Sequence, residues 1–262
     1  MSGDTFDLGK QQLMEREFAQ MESKLPGAVY STRQKVALTC RILFDNGHDS
    51  GLAGQITARG DAPGTFLTQR LGFGFDEITA GNLLLVNEDL QVLEGSGMPN
   101  PANRFHSWVY RARPDVRCII HTHAVHTAAL SMLEEPLMVS HMDNCVLYDD
   151  VAFLPKWPGV PVGNEEGEMI AGALGSKRAL LLAHHGLLVA CASIEEACLI
   201  ALAFERTARM QLLASAAGRI QPIEPGLARE AHDWILRPQR NAAAFAYYAR
   251  RSLKQGSGCL LE

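Results

Sequence analysis

Three histidines fall within six positions in the stretch His121-Thr122-His123-Ala124-Val125-His126, directly after the apolar run Cys118-Ile119-Ile120. A neutral imidazole offers one ring nitrogen lone pair without adding charge, so two of them on one face can share a small divalent ion. In a strand, residues two apart point to the same side, so His121 and His123 project together and Thr122 projects away. Taken alone, His-x-His is a weak signal, because paired strand histidines more often serve hydrogen-bonded packing. A second cluster changes the reading: Ala183-His184-His185-Gly186 closes another apolar run, and a tight turn at Gly186 would hold an imidazole out at the sheet's edge. Two strand-end histidine clusters imply one convergent site.

The elements that must position these residues follow from the hydrophobic period. Ser31-x-x-Gln34 is a capping box, followed by apolar Val36, Cys40, Leu43 and Phe44 and a stop at Gly47, which predicts a helix. GQITAR, GTFLTQ and NLLLVN, bounded by Gly, Asp and Asn, predict strands. Asn100-Pro101 starts a helix whose stripe is Phe105, Trp108, Val109 and Ala112, and Pro114 forbids its continuation. VRCIIHTH is then a strand, THAVHTAALSM and EEGEMIAGALG are helices, and ALLLAHHGLLVA is a strand, a turn and a strand. Ser193-x-x-Glu196 caps a long helix with stripe Ile194, Ala197, Ala201, Phe204 and Ala208. FLPKWPGVPVG and IQPIEPG read as surface loops, the second leading into a helical tail over 226–253. These alternating periods predict one α/β domain over 1–262, with its core at about 30–215.

Composition narrows the setting. A net charge of −5 with intermixed signs supplies no basic stripe for a phosphate backbone, so nucleic acid is not expected as a partner. The apolar runs are broken well before membrane-spanning length, and the acidic N-terminal stretch MSGDTFDLGKQQ lacks the apolar segment of a leader. Six scattered cysteines without a C-x-x-C pair read as reduced thiols, and hence as a cytoplasmic protein.

In order and spacing, ARPDVRCIIHTH, LLLAHHGLLV and SIEEA resemble the class II aldolase/adducin-type domains over approximately residues 30 to 215. That resemblance implies an α/β/α sandwich with a central, mostly antiparallel mixed sheet flanked by helices. It also implies a homotetramer with active sites between subunits, and one divalent metal ion held by His121, His123 and His185. Zinc is the first expectation, with manganese or iron as the others. His126 lies one helical turn beyond the ligand pair, where contact with substrate and packing at a helix start are both open.

The departures from the family pattern steer the function. Its sugar-phosphate aldolases read Pro-Ser-Ser-Glu ahead of the helix that ends in a His, and that Glu handles protons. Counted back from His106, this chain has Pro99-Asn100-Pro101-Ala102, and alanine cannot move a proton. Asn100 and Pro101 replace the phosphate-holding serines, Gly54-Gln55 replaces a Gly-Asn pair, and Leu71-Gly72 replaces a Thr-Gly pair. The Asn-Pro-Ala variant with GLAGQITAR resembles the branch that holds adducin heads, aromatic-acid decarboxylases and non-haem iron oxygenases.

Decarboxylation sheds carbon dioxide without a base and needs only a proton donor afterwards, so loss of the Glu favours it over aldol cleavage. The expectation is therefore a metal-dependent carbon–carbon lyase acting on a small unphosphorylated carboxylated oxo, hydroxy or aromatic substrate. Tyr148 and His106 are the candidate catalytic donors, with the tail pair Tyr247/Tyr248 behind them, and Arg70, Gly72, Gln55, Asn100 and His126 are the candidate substrate contacts. Arg70 is the one able to pair with a carboxylate. A sugar-phosphate aldolase, an Fe(II) oxygenase and a non-enzymatic adducin-like scaffold are the alternatives, and metal content separates them.

Overall fold

Strand pairing in this chain follows directly from where its apolar runs lie. The computed structural model describes residues 5–25, 27, 29–254 and 258–262, the side chains of 258 and 259 excepted, so the Cys259 thiol and Met1–Asp4 of the N-terminal stretch lie outside it. The strands are β1 (Gln55–Arg59), β2 (Thr65–Thr68), β3 (Leu84–Asn87), β4 (Val92–Glu94), β5 (Cys118–Thr122), β6 (Val151–Leu154), β7 (Ala179–Leu182) and β8 (Leu187–Cys191). They form one sheet in the order β4-β3-β2-β1-β5-β8-β7-β6. Every neighbouring pair is antiparallel except β6 and β7.

The helices are α1 (Lys10–Lys24), α2 (Thr32–Asp45), α3 (Arg104–Ala112), α4 (Val125–Ser131), α5 (Asn164–Leu174), α6 (Ile194–Ala217), α7 (Pro225–Ile235) and α8 (Pro238–Lys254). β5, β7 and β8 are buried along their whole length, because helices cover both faces of the sheet, and this is why their sequences run continuously apolar instead of alternating. Ile120, Leu181, Leu187 and Val189 face α2 and α6, meeting Val36, Leu43, Ala201 and Phe204. Ile119, Leu180, Leu182 and Leu188 face the other way, onto Phe105 and Val109 of α3 and Ile170 and Leu174 of α5. The α/β/α sandwich expected from the sequence is the fold observed.

The Ser31 box closes as expected, with the Gln34 amide donating to Ser31 Oγ at 3.3 Å and the Ser31 amide donating to Gln34 Oε1 at 3.0 Å. At α6 only half of the box forms, because the Glu196 carboxylate is drawn to Arg178 at 2.9 Å while Ser193 Oγ accepts from the Glu196 amide. Several boundaries differ from expectation. The helix after Asn100 opens as a 3-10 turn over Pro101–Asn103, and FLPKWPGVPVG begins inside β6. The tail is two helices, since Pro238 cannot continue α7 and instead starts α8. α1 and β4 are additions that the hydrophobic pattern does not reveal, as α1 has no buried residue and β4 is exposed throughout.

Phe245 and Ala249 of α8 pack with Leu38 and Ile42 of α2, so the tail shares a cluster with the sandwich. Among the described residues, Cys40, Cys118, Cys145, Cys191 and Cys198 are free and buried, and no described helix is long and apolar enough to cross a membrane.

Candidate metal centre

β5 ends at Thr122, so His121 is the last inward-facing residue of the strand and His123 sits in the connection to α4, not in the strand itself. The two rings converge nonetheless, with their centroids 4.8 Å apart and their Nε2 atoms 3.0 Å apart. The β7–β8 turn delivers the third ring: His185 lies 4.7 Å from His121 and 4.6 Å from His123 between centroids. One ligand atom from each of the three lies within 4.8 Å of the others.

Local chemistry shapes the turn. The Leu182 amide donates to the Gly186 carbonyl at 2.9 Å, and the His184 and His185 amides donate to the Ser131 carbonyl and Ser131 Oγ, each at 3.1 Å, tying the turn to the end of α4. His184 takes a left-handed φ of 55° and turns outward to Glu134 at 2.8 Å, which leaves His185 as the ring aimed at the site. A side chain on Gly186 would meet the Thr122 carbonyl oxygen at 2.4 Å, so the turn can press against the end of β5 only with glycine there.

The protonation pattern fits a divalent ion. His121 Nδ1 lies 2.7 Å from the Leu187 carbonyl, which can only accept, so the proton is on Nδ1 and Nε2 is bare. His185 Nδ1 is buried with no partner. Burial, then the neighbouring His185 and His123, hold His121 well below the ordinary histidine value, and burial also lowers His123. His185 is pushed down to about 4, first by burial and then by His123. Three neutral imidazoles with bare nitrogens in a triangle are a ligand set for an ion that keeps its full double charge and an open position. Among the described residues no carboxylate belongs to this group.

His106 is wholly buried, its Nδ1 2.8 Å from Thr57 Oγ1, which is itself 3.0 Å from the Tyr110 hydroxyl. Phe105 packs edge-on to both His106 and His121, at 4.4 and 5.3 Å between centroids. Gln55 stands directly across from His121 in the β1–β5 pair, buried, with its Oε1 unpartnered. The structure thus places His106 and Gln55 beside the triad.

The other sequence candidates are placed differently. Arg70 stacks its guanidinium 4.3 Å over the Phe73 ring with a buried, unpartnered Nε, and Gly72 next to it is exposed with a φ of 96°. Asn100 Oδ1 accepts from the Ala102 amide at 3.0 Å, so that oxygen serves as the cap of the Pro101–Asn103 turn. Tyr148 lies beneath the Arg229 guanidinium of α7, 5.1 Å from it. His126 turns its Nδ1 to Glu205 at 2.6 Å. Tyr247 is exposed and touches half-buried Tyr248 at 5.2 Å between centroids.

Sequence reasoning missed the supports behind the ligands. Thr122 points to the opposite face from His121, and its Oγ1 is 2.8 Å from buried His48 Nδ1. Glu205 accepts from the His126 and Thr127 amides at 3.0 and 2.8 Å, anchoring the chain just beyond His123. The signal for Glu205 was present: an acid at 205 lies four residues after Ala201 and three before Ala208, on the apolar stripe of α6.

These buried histidines predict a pH dependence of stability. Burial pushes His48 down to about 4, against an opposing pull from Glu205, and pushes His106 down to about 3. In the unfolded chain both return to about 6.5, so over that interval the unfolded state binds more protons. The stability they contribute is fully present above the unfolded value and is lost as pH falls through the folded values. The thermal midpoint of metal-stripped protein should therefore drop steadily from about pH 6.5 towards 4, and a flat profile there would contradict the buried neutral assignment.

The chain belongs to the family described as the Class II Aldolase and Adducin N-terminal domain, which matches residues 34–212. It is 32% identical over 202 residues to a 4-hydroxy-3-prenylphenylpyruvate oxygenase/4-hydroxy-3-prenylbenzoate synthase of Streptomyces roseochromogenus subsp. oscitans, covering 75% of this chain and 72% of that protein. It is equally 32% identical over 202 residues to the decarboxylase NovR of Streptomyces niveus, covering 75% of this chain and 74% of the relative. Among solved structures, an L-fuculose 1-phosphate aldolase from Glaciozyma antarctica PI12 superposes with a TM-score of 0.82 at 27% identity, over 94% of this chain and 99% of that one.

Proposed function

We propose that the protein is a divalent-metal-dependent carbon–carbon lyase acting on a small unphosphorylated carboxylated oxo, hydroxy or aromatic substrate, by decarboxylation in preference to aldol cleavage. The observation that carries the reading is the convergence of His121, His123 and His185, with the Nε2 of His121 left bare, in a chain with alanine at 102 where the family's aldolases place their acid/base Glu. A divalent ion on those three rings would supply Lewis-acid polarisation of a carbonyl next to the bond that breaks.

The chain's own residues do the rest. Arg70, held flat against Phe73 with a free Nε, pairs with a substrate carboxylate. Gln55 offers an acceptor beside His121, and neutral His106, braced by Thr57, backs the same wall. Asn100 shapes the adjoining turn through its cap. When carbon dioxide leaves with its carbon–carbon bond broken, the electron pair stays on the substrate carbon and one proton must arrive there, with water as its source.

The name of the Streptomyces niveus relative supports decarboxylation. A second reading as an Fe(II) oxygenase is favoured by the Streptomyces roseochromogenus relative. Zinc or manganese in the purified protein fits the lyase, and iron with oxygen consumption would transfer the proposal to the oxygenase. The direct test is a screen of oxo, hydroxy and aromatic carboxylic acids for carbon dioxide release, run beside a sugar-phosphate cleavage assay on the natural protein and on Ala102→Glu. Release from an unphosphorylated acid is expected. Enzyme-like sugar-phosphate cleavage by the natural protein would replace this reading with the ordinary aldolase one.

We also infer a homotetramer built from one domain over 1–262, in a reducing compartment, the cytoplasm. Exposed Val125, Met132, Leu133 and Leu213 and the tail packed on α2 support the first two points, and the free buried thiols support the third. Light scattering should give about four chain masses per particle, and a monomer at micromolar concentration would count against the assembly.

A further inference from the structure

A second histidine arrangement lies on the α6 side of the sheet, away from the triad. Glu205 is a carboxylate only 8% exposed. Besides the two amides, it accepts from the Thr127 hydroxyl at 2.7 Å and from the His126 ring at 2.6 Å. A carboxylate surrounded by donors fixes the His126 tautomer: the proton sits on Nδ1, and Nε2 is left as the free acceptor. Capping the chain before α4 requires only the backbone amides, so the ring contact has a different consequence. It orients the imidazole.

That ring lines a cavity of about 620 Å³, together with Leu202, Arg206, Arg209 and Tyr248. Arg206 and Arg209 stand three apart on α6 and so share a face. Arg206 Nη2 is held by Asp143 at 3.1 Å, whereas Arg209 has no acidic partner among the described residues. The space is of small-molecule size, and its polar lining sets two guanidinium groups, Asn46 and the Tyr248 hydroxyl around the imidazole, with the Glu205 carboxylate also on the wall but engaged by its own donors.

We propose that this cavity binds a small hydroxycarboxylate anion, with its carboxylate on Arg209 and Arg206 and its hydroxyl donating to His126 Nε2. The site goes beyond the lyase reading and does not require the triad. Thr122 and His121 point to opposite faces of β5, and the cavity is built from α6, α8, the end of α2 and the start of α4.

Isothermal titration of metal-stripped full-length protein with malate tests it, with succinate, which lacks the hydroxyl, as the comparator. Malate should bind, and succinate should bind more weakly. Arg209→Ala, whose exposed side chain makes no described contact, should weaken malate roughly tenfold or more with an unchanged thermal midpoint. His126→Ala should bring malate down to the succinate level. No binding by about 10 mM malate, or equal malate affinity in natural protein and Arg209→Ala, would overturn the site. Equal binding of malate and succinate by the natural protein would overturn the hydroxyl contact and with it the hydroxycarboxylate class. Because the titration is run without metal, none of these results bears on the triad, and loss of the lyase activity would not bear on them.

Discussion

His185→Ala should lower turnover by on the order of a thousandfold or more while leaving the fold in place. Of the three ligands His185 is the cleanest to remove. His121 is buried, holds the Leu187 carbonyl and packs against Phe105, so its loss mixes cavity formation and an orphaned carbonyl with loss of a ligand. His185 is part-buried, its Nδ1 has no partner, and its amide rather than its ring ties the turn to Ser131. Taking away its ring leaves two imidazoles, too few to hold an ion firmly. The check is steady-state activity together with the thermal midpoint of metal-stripped natural and variant protein. An unchanged midpoint with activity gone is the predicted pair. Retained activity would mean that the ring is not a ligand.

Gly186→Ala should damage both stability and the site, although it adds only one methyl group. The new Cβ would lie 2.4 Å from the Thr122 carbonyl oxygen and 3.0 Å from His123 Cδ2. Backbone cannot yield as a long side chain would, so the turn and the end of β5 must separate, at a cost of roughly 1–3 kcal/mol. The displacement falls between His185 on one side and His121 and His123 on the other, so the ligand triangle opens. Chemical denaturation and metal titration of the same variant should therefore both shift. A variant with natural stability and natural metal affinity would show that this contact does not set the triangle.

The convergence of two histidine clusters within one α/β domain was legible in the sequence for a physical reason, whereas the choice of His185 over His184 and the layered sandwich rested on the family resemblance. Strands covered on both faces are written as continuous apolar runs, and a histidine at the end of such a run has few places to go. Ser31-x-x-Gln34 was readable because both partners of the box lie in one local segment. What stayed hidden depended on distant partners. Nothing near Thr57 indicates that His106 will lean on it from 49 residues away, and nothing near His126 indicates Glu205, 79 residues on. Asn100-Pro101 was readable as a helix start for the same local reason, and the Asn100 Oδ1 that was also a candidate substrate contact is engaged by the Ala102 amide as the cap. α1 escaped because it docks through a few aromatic contacts, Phe18 on Trp234 at 5.0 Å among them, instead of through a buried stripe.

The most direct measurement is the metal content of the purified protein, taken by elemental analysis after dialysis and set beside that of His121→Ala, His123→Ala and His185→Ala. The account predicts about one divalent ion per chain in the natural protein, zinc first, and a sharp loss in each of the three variants. Natural protein that takes up no divalent ion when one is offered, or full retention of the ion in all three variants, would contradict it.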